Sequence, residues 1–161
     1  MKIGVPKEIK PQENRIGLTP DSVKTLTSNG HEVLVENDGG FEAGFDNNQY
    51  KSAGAKIIDK AEDIFNDAEI IVKVKEPLSN EVKMLRENQI VFTYLHLAAA
   101  KELTKGLVES KAVCIAYETV TDNNGRLPLL APMSAVAGRM SVQAGAHCLE
   151  KNQKGRGILL G

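Results

Sequence analysis

The chain has 161 residues, enough for one compact domain whose core needs no disulfide or metal staple. Hydrophobic residues make up 42% and charged residues 25%, and the formal net charge is −1, which argues against a polyanion partner. No basic stripe with interleaved aromatics marks a nucleic-acid surface, no apolar stretch reaches the ~20 residues that span a bilayer, and no HxH or HExxH spacing suggests a metal.

The N-terminus, Met1-Lys2-Ile3-Gly4-Val5, enters a strand directly and has no signal-peptide core. Cys114 and Cys148 fall in different predicted elements without CxxC spacing and read as reduced thiols, so a cytoplasmic location is expected. The first strand runs from Lys2 to Pro6. After a polar loop, Thr19-Pro20-Asp21 starts a helix, with Thr as N-cap and Pro at the first helical position. Asn29-Gly30 should end it. His31 to Glu36 forms a second strand, with Val33 and Val35 on one side.

Gly39-Gly40 opens a loop, Asp46 caps a short helix through Tyr50 and Ala53, and Ala55 to Ile58 is a short strand. Lys60 to Asn66 is helical and leads to the strand Glu69 to Val74. Leu78 to Leu85 is helical, Gln89 to Leu95 extended, Lys101 to Ser110 helical and Ala112 to Glu118 extended. This alternation predicts an α/β fold, a Rossmann-like or flavodoxin-like doubly wound, mostly parallel sheet with right-handed crossovers. The apolar, β-branched runs at 70–74, 90–95 and 113–116 suit strands covered on both faces.

After Val120 the composition changes. Thr121 to Gly125 is a turn, Leu127 to Pro132 reads as extended, and a long helix spans Ala135 to Lys151, with Ser134 as its N-cap. The expected division is residues 1–130 as one domain and 131–161 as an interdomain helix leading onward.

In such a sheet the reactive groups belong at the carboxyl edge. Tyr94-Leu95-His96 closes one strand there, and an imidazole with an ordinary pKa of ~6.5 suits proton transfer. Lys73 and Lys75 end the neighbouring run. Alternation puts them on one side and does not choose between them, but Lys75 lies nearer the edge and is favoured. Arg15, in the loop after the first strand, can offer a planar fork to a carboxylate. Met133-Ser134, at the start of the long helix, suits an anion or hydroxyl-lined ligand. His31 and His147 have no partner at motif spacing. The chain has no GxGxxG, no P-loop and no GxSxG.

Lys2-Ile3-Gly4-Val5-Pro6-Lys7-Glu8 with Glu13-Asn14-Arg15-Ile16-Gly17-Leu18-Thr19-Pro20 resembles the opening of the alanine dehydrogenase family. The resemblance continues through Val72-Lys73-Val74-Lys75-Glu76-Pro77, Phe92-Thr93-Tyr94-Leu95-His96-Leu97-Ala98, Leu130-Ala131-Pro132-Met133-Ser134 and Gly155-Arg156-Gly157-Ile158-Leu159-Leu160-Gly161. It implies NAD-dependent, reversible oxidative deamination of L-alanine to pyruvate and ammonium, in a homo-oligomer that is hexameric in the family. It further implies that Arg15 and Lys75 hold the substrate's carboxylate and carbonyl oxygen and that His96 donates and accepts the proton. Tyr94 would line the cleft, and Met133 and Ser134 would lie on its nicotinamide side, with Met133 also touching substrate. The family's glycine-rich fingerprint and the aspartate partner of its histidine have no counterpart, so the chain is expected to be the N-terminal, substrate-binding portion of such an enzyme, with little or no turnover alone.

Three alternatives stand beside this reading. The NAD-binding component of proton-translocating transhydrogenase shares the opening motif but lacks the Lys/His pair. Lysine-forming saccharopine dehydrogenases keep a similar pair in a different context. A non-catalytic remnant that assembles with a partner is the third.

Overall fold

The structure is a computed structural model describing residues 1–160. The chain divides into two compact units, the first Met1–Tyr117 and the second beginning at Glu118. The expected 130/131 division falls inside the second unit.

In the first unit, β1 (Lys2–Val5), β2 (Glu32–Glu36), β3 (Lys56–Ile58), β4 (Ile70–Val72), β5 (Ile90–Thr93) and β6 (Val113–Ala116) form one sheet. Its order is β3-β2-β1-β4-β5-β6, and every pairing is parallel. This is the doubly wound order with its switch point between β1 and β4, where the chain reverses its direction of travel across the sheet. The helices are α1 (Pro20–Ser28), α2 (Asn47–Ser52), α3 (Ala61–Asp67), α4 (Ser79–Val82) and α5 (Lys101–Ser110).

Local chemistry accounts for these elements. The Thr19 hydroxyl accepts from Ser22 N at 3.3 Å to cap α1, and Gly30 beyond its end takes φ +81°. Asp46 and Gln49 form a reciprocal capping box on α2. Period-two alternation sends Val33 and Val35 of β2 to one face, with Ile3, Val5, Val23 and Tyr50. Leu34 goes to the other, with Ile64, Phe65, Ile71, Val91 and Leu107. Both faces are therefore covered. Packing is close at Gly4, where a Cβ would stand 2.5 Å from Ile64 Cγ2 of α3.

Three expectations are corrected. The strand over Ala112 to Glu118 stops at Ala116, and Tyr117–Thr119 forms a 3₁₀ turn. The run to Val74 is shorter too, because β4 ends at Val72, so alternation does not govern Lys73 and Lys75. In the second unit, Leu127 to Pro132 is not extended: a turn leads into α6 (Ala131–Leu149), whose N-cap is Leu130. Pro132 sits in the first turn, where a missing N–H costs no helical bond. Ser134 is thus inside the helix, its hydroxyl donating back to Leu130 O at 3.4 Å. Among the described residues no helix is long and apolar enough to cross a membrane.

Candidate functional site

The loops after β1, β4 and β5 meet at the carboxyl edge beside the switch point. Their backbones are tied by one buried carboxylate. Glu8, just past β1, accepts from Val74 N at 2.6 Å and Lys75 N at 3.2 Å through Oε1. Its Oε2 takes Lys73 Nζ at 3.3 Å, and the same ammonium reaches Glu81 Oε1 at 2.7 Å. Glu81 Oε2 accepts from Leu78 N at 2.8 Å, closing the network onto the start of α4. All three side chains are at most 3% exposed. Lys73 is therefore committed to two carboxylates in the interior, and Lys75 is the lysine at the edge.

Lys75 is held by its main chain. Thr93 Oγ1 donates to Lys75 O at 2.9 Å, and Tyr94 N donates to Val74 O at 3.3 Å, so the Lys75 and Tyr94 segments run together beyond the strands. His96 follows at φ 49°, ψ 42°, a left-handed conformation uncommon for a side chain with a Cβ. It is solvent-exposed at the mouth of β5, above the buried Leu95.

Arg15 reaches the same edge from the loop after β1. Gly17 permits this: a Cβ there would lie 2.6 Å from Val72 O, so the loop crosses the end of β4 at backbone contact. The guanidinium is paired side-on with Glu13, Nε donating to Oε1 at 2.8 Å and Nη2 to Oε2 at 2.6 Å, while Arg15 N donates to Oε1 at 3.0 Å. The Arg15 bond holds the Glu13 carboxyl below its usual range, and the charge of Lys75 adds in the same sense. Glu13 in turn raises Arg15, with Tyr94 and Glu8 contributing.

An aromatic wall stands next to these groups. Tyr117 packs edge-on against Phe92 at 4.3 Å and Tyr94 at 4.9 Å between centroids. Burial pushes the Tyr117 phenol up, so it stays neutral over the physiological range.

Arg15, Lys75, Tyr94 and His96 thus share one edge of the first unit. Met133 and Ser134 lie in the first turn of α6, in the second unit. A groove of about 660 Å3 between α4 and α5, lined by Pro77, Val82, Leu103 and Gly106 among others, contains none of these residues. Sequence reasoning missed Glu8, Glu81, Thr93 and Tyr117, whose partners are set by the fold. Glu13 had a local signal, an acid two residues before an arginine in a short loop.

A doubly wound parallel sheet whose loops carry Arg15 and Lys75 at the carboxyl edge defines an α/β protein of the Rossmann-like class. A family model described as alanine dehydrogenase/PNT, N-terminal domain, matches residues 4–137. An alanine dehydrogenase of Halomonas elongata is 56% identical over 160 residues, which is 99% of this chain and 43% of that protein. A solved L-alanine dehydrogenase superposes with a TM-score of 0.90 at 54% identity, covering 100% of this chain and 44% of that one. A transhydrogenase structure from Sinorhizobium meliloti is more distant, at TM-score 0.72 and 26% identity over 77% of this chain and 35% of that one. The chain belongs to the alanine dehydrogenase/PNT N-terminal domain family. It spans less than half the length of the curated relatives it matches.

NAD is the cofactor that the resemblance implies. In a doubly wound sheet the pyrophosphate would rest on a glycine-rich turn between β1 and α1. Here that connection carries the buried Glu8 and the Glu13–Arg15 pair, has no glycine before Gly17, and ends on a helix already capped by Thr19. The first unit therefore does not fit a dinucleotide pyrophosphate, despite its strand order.

Proposed function

We propose that this chain provides the substrate side of an NAD-dependent alanine dehydrogenase, which interconverts L-alanine with pyruvate and ammonium. The supporting observation is the delivery of Arg15, Lys75 and His96 to one edge by the loops after β1, β4 and β5. Arg15 pairs with the substrate carboxylate, a charge-assisted contact of the fork type. Lys75 donates to the carbonyl oxygen of the 2-oxo acid and favours the polarised form. His96 exchanges a proton with the substrate, from an exposed position that lets the imidazole re-equilibrate with water. Tyr94 lines the cleft, and Met133 and Ser134 are assigned to the nicotinamide side. NAD is held mainly by residues outside this chain, and the assembly is a homo-oligomer in the cytoplasm; light scattering and fractionation test those two points.

Calorimetric titration of the 161-residue chain with pyruvate tests the reading. Hydrogen bonds to charged groups contribute about 1.5–3 kcal/mol, so Lys75→Ala should weaken pyruvate by roughly 10- to 100-fold. Equal affinity in the variant would remove Lys75 from the site. The chain alone should form little NADH from alanine, because hydride transfer needs both reactants held in register.

A further inference from the structure

We infer that Glu13 is a positioning residue that presents Arg15 to the substrate's carboxylate. The inference rests on the proposed 2-oxo acid site and adds a role that the carboxylate-binding arginine does not by itself supply.

A guanidinium carries five N–H donors in one plane. The Glu13 carboxylate takes the side edge, Nε and Nη2, at 2.8 and 2.6 Å. That bidentate contact sets the plane of the group. The two partners are unequally placed: the Glu13 side chain is 8% exposed and that of Arg15 is 51% exposed. The acid is the fixed support and the guanidinium the presented group. Its loop is anchored at both ends, by Glu8 on the Val74 and Lys75 amides and by Gly17 against Val72 O. Exposed ion pairs gain little because two long side chains must both be ordered. Here one of the two is sunk in the loop, and the backbone N–H of Arg15 holds it again at 3.0 Å.

Charge alone predicts the opposite effect. Glu13, Arg15 and Lys75 sum to one positive charge, matched to one carboxylate. Removing Glu13 leaves two cations, which should attract an anion more strongly. The two mechanisms therefore differ in sign.

Pyruvate affinity of the 161-residue chain, measured by calorimetry, separates them. Positioning predicts that Glu13→Gln weakens pyruvate about tenfold, through the ordering that each binding event must then supply. Glu13→Asp, which keeps the charge on a shorter arm, should fall between. Because Glu13 acts through Arg15, Glu13→Gln added to Arg15→Lys should cost nothing beyond Arg15→Lys alone. The Arg15 side-chain ¹⁵Nε resonance should be sharp in the native chain and should broaden or shift in Glu13→Gln without ligand. Native binding with Glu13→Gln equal to or tighter than native would overturn the positioning role and leave the site assignment standing. Absence of pyruvate binding by the native chain would overturn the site assignment, and the role of Glu13 with it.

Discussion

Replacing Lys73 by methionine removes one buried charge and strands two others. In the native chain its ammonium lies 2.7 Å from Glu81 and 3.3 Å from Glu8. At an effective dielectric near 20, the attractions are about 6 and 5 kcal/mol before desolvation, which cancels much of that gain. Lys73→Met deletes the attraction but leaves both carboxylates in the interior, sharing only the amides of Val74, Lys75 and Leu78. Breaking a buried pair from one side costs about 3–5 kcal/mol, a large part of the 5–15 kcal/mol that holds a typical domain. For a chain of this length that corresponds to roughly 10–15 °C in melting temperature. Guanidinium unfolding followed by circular dichroism gives the free energy directly. The double variant Lys73→Met/Glu81→Leu removes one stranded charge and should recover at least ~1 kcal/mol. A loss below ~1 kcal/mol in Lys73→Met, or further loss in the double variant, would refute the view that the triad is a closed charge network.

Two other outcomes follow from the same geometry. Burial raises the Tyr50 phenol to about 12 and pushes Tyr117 up as well, so both remain protonated in the fold at pH values where the unfolded chain ionises. The stability this gives is complete below pH ~10 and falls as pH rises toward 12; phenolate absorbance at pH 11 should be lower for the native than for the denatured chain, and equal absorbance would contradict the assigned burial. At His96, φ 49° costs an L-residue up to about 1–2 kcal/mol that glycine does not incur. His96→Gly should therefore be more stable than His96→Ala by roughly 1 kcal/mol in urea titrations, and the reverse order would contradict the left-handed backbone.

How much of this was readable in advance depended on range. The alternation of strands and helices was legible because its signals are local: Thr19-Pro20 at a helix start, Asn29-Gly30 at its end, and β-branched runs for the strands. The start of α6 is masked in the sequence because Pro128 and Pro132 suggest an extended segment, whereas a proline in a first helical turn breaks nothing. Lys73 is the clearest case of hidden information. Its residue type predicts a solvated strand end, and the approach of Glu8, 65 positions earlier, together with Glu81 makes burial tolerable. The edge positions of Arg15, Lys75 and His96 followed from the rule that loops after parallel strands carry the chemistry, but the acids that hold them did not.

Those acids explain why the site depends on main chain more than on its own side chains. β1 pairs with β4 only through Ile3–Ile70 and Gly4–Ile71, half the register of β1 with β2. Glu8 replaces the missing ladder, accepting the Val74 and Lys75 amides as a further strand would, and Gly17 lays the Arg15 loop on the Val72 carbonyl. The distance between Arg15 and Lys75 is therefore set by Glu8 and Gly17, seven and two residues from Arg15, against the main chain of Val72, Val74 and Lys75. Substitutions at Glu8 and Gly17, which would touch no substrate atom, should alter that distance more than substitutions at exposed neighbours such as Asn14.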